Sequence, residues 1–214
     1  KVNEFEHGID TDTKARSDSL RFGSLSNEQF RHGSSDELLN TEDGKKAFRD
    51  MVETFFNLQR KRLRVLASYA QGDNYSILAG SRRLDKEKAD YRVRHKWGGY
   101  ISSFATSYVI GNPVTIGILE GAEEEQLKVI EEIEWQNDIN SLNSDLAFDA
   151  SVYGRAFEYH FRDKDNVDRV VLISPLEMFV IRDLTVEQSI IAAVHLPIFA
   201  DKVSATVYTK DRII

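Results

Sequence analysis

Between residues 45 and 69, apolar side chains recur with a period close to 3.6: Phe48, Met51, Val52, Phe55, Phe56, Leu63 and Leu66. That spacing lines one face of a helix about 35 Å long, and Gly72 ends it. The same period over 89–110 predicts a second helix, with Val93, Trp97, Tyr100, Ile101, Phe104, Tyr108 and Val109 on its apolar face. Gly98-Gly99 weakens that helix by about 1 kcal/mol per glycine, which predicts close packing against something there. Gly111 is expected to close the helix at positive φ, and Pro113 prevents its continuation. Val114-Thr115-Ile116 then reads as a short strand. An acidic amphipathic helix over 123–136 carries Leu127, Ile130 and Ile133 on one side. The next helix, capped by Asp138 or Asn140, carries Ile139, Leu142, Leu146 and Ala150 and ends near Tyr153-Gly154.

After Gly154 the period changes from 3.6 to 2. Phe157, Tyr159 and Phe161 alternate with Glu158, His160 and Arg162. Further strand-like runs follow at 169–173, 178–181, 190–196 and 203–208, which together predict an antiparallel meander of four or five strands. Helices first and consecutive strands afterwards give an α+β class. Residues 1–44 are polar, broken only by Phe5, Leu20, Phe22, Leu25, Phe30 and Leu38-Leu39. They are expected to form an arm that packs on a neighbouring subunit or stays mobile, with 45–214 as the folded domain.

The chain has 214 residues, no cysteine and a formal charge of −7. Disulfides and thiolate metal sites are excluded, and a nucleic-acid coat protein is disfavoured. No apolar run approaches the ~18–20 residues of a membrane span. The chain opens Lys1-Val2-Asn3-Glu4 without an apolar leader and stops within a strand-like run, so a piece of a longer protein is expected. Charge is segregated: residues 60–96 carry a net +7, residues 1–59 a net −4 and residues 97–214 a net −10. The basic stretch, with Arg60, Lys61, Arg62, Arg64, Arg82, Arg83, Arg92 and Arg94, is open to three readings. It is a solvated face, a surface for an acidic neighbour or a DNA contact. Glu124, Glu125 and Glu131 form a candidate acidic counter-surface.

Candidate chemistry is sparse. His7, His32, His95, His160 and His195 include no i, i+4 pair and no Glu-x-x-His, so a metal site is not expected. Gly111-Asn112-Pro113-Val114 lacks the Gly-x-x-x-x-Gly-Lys pattern of a phosphate loop and reads as a helix-to-strand turn. At Tyr153-Gly154-Arg155, Gly154 reads as a helix cap, with Arg155 as an anion clamp the functional alternative. Pro175 marks a further turn. Glu42-Asp43-Gly44-Lys45-Lys46 and Glu123-Glu124-Glu125 read as helix first turns, where acids favour the dipole. No Gly-x-Ser-x-Gly elbow appears. No catalytic residue, cofactor or metal is assigned.

Five segments, taken in order, resemble the portal proteins of tailed double-stranded DNA phages of the siphophage and prophage type. They are Leu66-Ala-Ser-Tyr69-Ala-Gln-Gly72-Asp73; Asp90-Tyr91-Arg92-Val93 leading to Ser107-Tyr108-Val-Ile-Gly111-Asn112-Pro113-Val114-Thr115; the acidic helix before 140–150; Val152-Tyr153-Gly154-Arg155-Ala156-Phe157-Glu158; and Ile173-Ser174-Pro175-Leu176-Glu177-Met178-Phe179-Val180-Ile181, closing at Asp183. Asp90-Tyr91-Arg92 stands where that family has Asn-Asn-Arg, and residues 1–65 carry none of its motifs.

The resemblance implies the wing of a portal subunit, with stem, clip and crown absent. It implies a homo-oligomeric ring, twelve subunits in the virion, at one capsid vertex. Its implied partners are the DNA passing through, the terminase motor, capsid and scaffolding proteins and a tail adaptor, with no membrane. Assembly would take place in the host cytoplasm. A phage-encoded metal-dependent nuclease and a free-standing DNA-binding module are the rival readings.

Overall fold

The computed structural model describes residues 29–74, 92–118, 124–197 and 204–214. Expectations for residues 1–28, for Arg82 and Arg83, and for the start of the acidic helix at residue 123 lie outside the described residues. The elements are β1 (Phe30–Arg31), α1 (Ser35–Asn40), α2 (Glu42–Thr54), a π-helical turn (Phe55–Gln59), α3 (Arg60–Gln71), α4 (Trp97–Ile110), α5 (Glu124–Asn137), α6 (Ile139–Tyr153), β2 (Phe157–Arg162), β3 (Asp168–Ile173), β4 (Met178–Arg182), β5 (Ile190–His195) and β6 (Thr206–Thr209). Helices and antiparallel strands are both present, and the class is α+β. The chain divides into two compact units, Lys1–Arg64 with Leu176–Ile214, and Val65–Pro175.

The first unit is built on a four-stranded sheet in the order β1-β4-β5-β6, with β1 parallel to β4 and the other pairs antiparallel. Thr41 starts α2 by accepting a hydrogen bond from the Gly44 N–H (3.0 Å), with Glu42 and Asp43 in the first turn. Ser34 does the same for α1 through the Glu37 N–H (3.2 Å). These caps satisfy amide donors that a helix start otherwise leaves free. Phe179 sits between Phe30 and Phe55, with ring centroids 4.9 and 5.0 Å away. Leu38, Phe55, Leu63, Ile181 and Val194 are completely buried around them. The long helix expected over 45–69 is present from Glu42 to Gln71, interrupted by the π turn.

Residues 30–44 differ from the expected arm. Phe30 pairs with Ile181 in the sheet, and Leu38 is fully enclosed. Few apolar residues are needed when they close a core that the rest of the unit supplies. The strand pattern also differs from one meander: β2 and β3 form a separate two-stranded sheet. The break falls at Ser174-Pro175, where proline removes a ladder donor.

In the second unit, α4 lies on α6, and the Ser151 hydroxyl bonds the Ser102 hydroxyl at 3.1 Å. Close packing at the glycine pair is present. A Cβ on Gly99 would collide with the Ala70 carbonyl oxygen, and one on Gly98 would lie 3.2 Å from the Tyr69 carbonyl oxygen. Two local expectations fail. Residues 92–96 are not helical, and 113–118 form no strand. No strand among the described residues pairs with 113–118, and Val114 and Ile116 stay exposed. Asn137, at the end of α5, holds β3 from both sides: its amide donates to the Asp168 carbonyl (2.9 Å) and its oxygen accepts from the Val170 N–H (3.0 Å).

The β2–β3 hairpin is tied by charge. Arg162 donates twice to Asp168, at 2.9 Å each, and Arg169 donates to Asp163 at 2.9 Å. Asp163 also accepts from the Asp165 and Val167 N–H groups. The Val167 amide and then Arg169 hold the Asp163 carboxyl below its ordinary pKa, and Arg162 does so for Asp168. A depressed carboxylate stabilises the folded state above its unfolded pKa, and that contribution disappears as pH falls through the folded value. Amide exchange at Val167 and Val170, corrected for its intrinsic pH dependence, should therefore accelerate below about pH 4. In Asp163→Ala the acceleration at Val167 should already be present at pH 6. Unchanged protection down to pH 2 would contradict this.

Candidate functional site

The π turn widens one turn of the helix just before the basic residues. Gln59 and Arg60 leave it pointing inward, at 1% and 7% exposure. The Arg60 guanidinium lies 4.8 Å from the centre of the Phe56 ring, a cation–π arrangement. Its Nε has no hydrogen-bond partner among the described residues. Desolvation, and then the Arg64 charge, lower the Arg60 pKa, and the Glu177 carboxylate opposes them. Glu177 in turn lies 3.7 Å from His195, across the β4–β5 pair.

Arg60 is thus a buried cation, not a surface one, and Lys61 and Arg64 are the exposed charges of this turn. A buried, incompletely paired charge carries a desolvation penalty on the order of several kcal/mol, which an apolar replacement that fills the space avoids. Arg60→Met should therefore leave the unfolding midpoint unchanged or raise it. A fall of more than about 2 kcal/mol would mean that Arg60 is compensated far better than its geometry indicates.

Within the second unit, Arg92 and Arg94 are exposed, and Arg94 lies 3.5 Å from Asp73. Asn74, at 1% exposure, donates to the His95 carbonyl. Residues 73–74 and 94–95 are thereby held side by side. On α5, Glu124, Glu125 and Glu131 are exposed. Glu131 shares a groove with Glu134, Trp135, Asp138 and Asn140, and Trp135 is 83% exposed. Asp138 precedes α6 in the left-handed region (φ 47°) and makes no side-chain cap.

The turn residues sit as follows. Gly154 ends α6 at φ 73°, and its N–H donates to the Ala150 carbonyl at 2.9 Å. Gly111 ends α4 at φ −68°, so positive φ is not what it supplies. A Cβ there would meet the Ser107 carbonyl oxygen, so the glycine provides room. Pro175 is fully buried. His160 is exposed and bonds Glu158 at 3.0 Å. Among the described residues, no three His, Asp or Glu side chains are grouped to hold a metal ion, and no helix is long and apolar enough to cross a membrane.

The largest departure from expectation is α4. The stripe marked by its period, Trp97, Tyr100, Ile101, Phe104 and Tyr108, faces outward with 61–85% exposure. The inward face is small: Gly99 and Ser102.

Compared with known families, residues 52–214 match a model described as phage portal protein, SPP1 Gp6-like. That is most of the chain, and it takes in the π turn, α3 to α6 and β2 to β6. The chain belongs to this portal protein family. No curated protein matches it. The five segments that resembled portal proteins all fall inside the matched range, whereas β1 and α1 precede it. As a portal protein, the chain has a structural role in the virion capsid, and its family is not one of enzymes. Burial of Arg60 and exposure of the α4 stripe were missed in the sequence, although α4 carried one signal. Its glycines and serine fall together on one face, which identifies the side of closest approach.

Proposed function

We propose that this chain is a wing-region segment of a portal subunit that assembles into a closed ring, twelve-membered in the virion, at one capsid vertex. The ring is the conduit for packaged DNA and the platform for the terminase motor, scaffold and tail adaptor. The match over residues 52–214 carries the reading. The role is mechanical: the subunit holds position, and the energy for DNA movement comes from a separate motor. The order of segments favours this over a nuclease or a free DNA-binding module.

Rings beyond a dimer need two different complementary surfaces on each subunit. Exposed charges at such a boundary mainly set register and association rate. Charge reversal at Arg92 and Arg94, which are exposed, should slow assembly of the full-length protein. Reversal of Glu124, Glu125 and Glu131 in the same chain should restore part of it. Arg60 and Arg62 are left untouched because Arg60 and the Arg62 Nε are buried. Assembly at the wild-type rate in low salt would leave the basic residues as a solvated face. Normal rings that fail to package DNA would assign them to DNA or the motor.

A further inference from the structure

The α4 stripe is too large to be incidental. Four aromatic side chains and Ile101, each more than 60% exposed, present on the order of 700 Å² of apolar surface. The largest apolar patch on a typical monomer is about 300–600 Å², and each partner in a standard interface contributes about 800 Å². No charged residue occurs from Trp97 to Ile118, so the stripe has the uncharged centre of an interface. Its N-terminal end is bordered by Arg92, Arg94 and Lys96, all exposed.

A second feature of this unit has the opposite character. Trp135 stands 83% exposed beside Glu131, Glu134 and Asp138. A lone exposed tryptophan in an acidic groove is the type of side chain that anchors an interface when a partner covers it. An aromatic stripe with a basic border and a tryptophan with an acidic border are complementary in both polarity and charge. Self-pairing of either would place like charges together. Head-to-tail pairing places opposite charges together, and it repeats around a ring.

We infer that the occupant of the α4 stripe is a second copy of this chain, which presents its Trp135 face. The inference rests on the ring reading above and assigns it a surface. Trp135 and Phe104 lie near the centre of the contact, and the charges lie at its border. Packing of these side chains provides most of the affinity, and the charges select the head-to-tail orientation.

The test uses the whole chain. Phe104 is replaced by the photo-cross-linker benzoylphenylalanine in unlabelled protein, which is mixed with ¹⁵N-labelled wild type and irradiated. Mass spectrometry then identifies the captured peptide and its isotope. The expected product joins position 104 to a ¹⁵N peptide containing Trp135. Its yield should be at least tenfold that from the same probe at Val186, a 99% exposed control. In parallel, Phe104→Asp and Trp135→Ser should each weaken self-association at least tenfold, and the double variant should be no weaker than the worse single one, since both remove one contact. Both positions are exposed, so circular dichroism should remain that of wild type.

Capture within one chain, capture of another chain's α4, or additive effects of the two substitutions would overturn the inference. If wild type assembles while none of the expected cross-links form, the surface is wrong and the ring reading stands. If wild type remains monomeric at every concentration, both fail.

Discussion

Phe179→Ala should lower the free energy of unfolding by about 3–5 kcal/mol, the usual cost of emptying a large aromatic site. Phe179 is 1% exposed and lies between two other rings, Phe30 on one side and Phe55 on the other. These three rings come from β1, the π turn and β4, segments far apart in sequence. The cavity would be walled by the rings of Phe30 and Phe55, which are buried and anchored in β1 and the π turn, so little collapse is available to fill it, and the cost should fall in the upper part of the range. Urea unfolding should show a lower midpoint with an unchanged slope. A loss below about 1 kcal/mol would show that the three rings are not the centre of this unit's core. Because Phe30 belongs to the same cluster, removing residues 29–44 should be comparably damaging.

Gly44→Ala should destabilise by about 1–3 kcal/mol, the cost of forcing atoms into a packed site. The sign makes this informative. On an unconstrained helix, alanine in place of glycine stabilises by about 1 kcal/mol. Here the added Cβ would collide with the Glu37 carbonyl oxygen and lie 2.7 Å from both Cα and O of Leu38. These are backbone atoms, so no side-chain rotation relieves the clash. Helix α1 has to move away from α2, and fully buried Leu38 moves with it. A stabilised Gly44→Ala variant would mean that α1 does not pack on α2 as described. Thermal unfolding distinguishes the two outcomes directly.

Periodicity located the longer elements well, because they are long enough to show a repeat. The helix ending at Gly72, the acidic helix, the helix ending at Gly154 and the strand runs all stand near their expected places. What periodicity did not give is which side of an element faces inward. For α4 the rule that the apolar face turns to the core failed. The close approach of Ala70 demands glycine, and the contact with Ser151 favours serine, so the small residues took the inside.

Arg60 shows the converse. Gln59 and Arg60 stand one turn beyond Phe55 and Phe56 and one before Leu63, so they occupy the core-facing positions of that helix. Reading residue types before positions placed Arg60 with the exposed basic residues, as part of a solvated face, a surface for an acidic neighbour or a DNA contact, whereas it is buried. Residues 30–44 were read as an arm because their few apolar side chains build no core alone. Phe30 and Leu38 instead complete one whose other members lie at 55, 63 and beyond 175. Such long-range completion leaves no periodic trace. The proposed partner surfaces were only half legible: charge segregation could be counted, but exposure of Trp135 and of the α4 stripe required coordinates.

Negative-stain electron microscopy of the purified full-length protein tests the portal ring most directly. Ring-shaped particles with a central channel and a uniform subunit number are expected. A population of monomers alone at micromolar concentration, with magnesium-dependent cleavage of DNA by the same preparation, would contradict the ring reading.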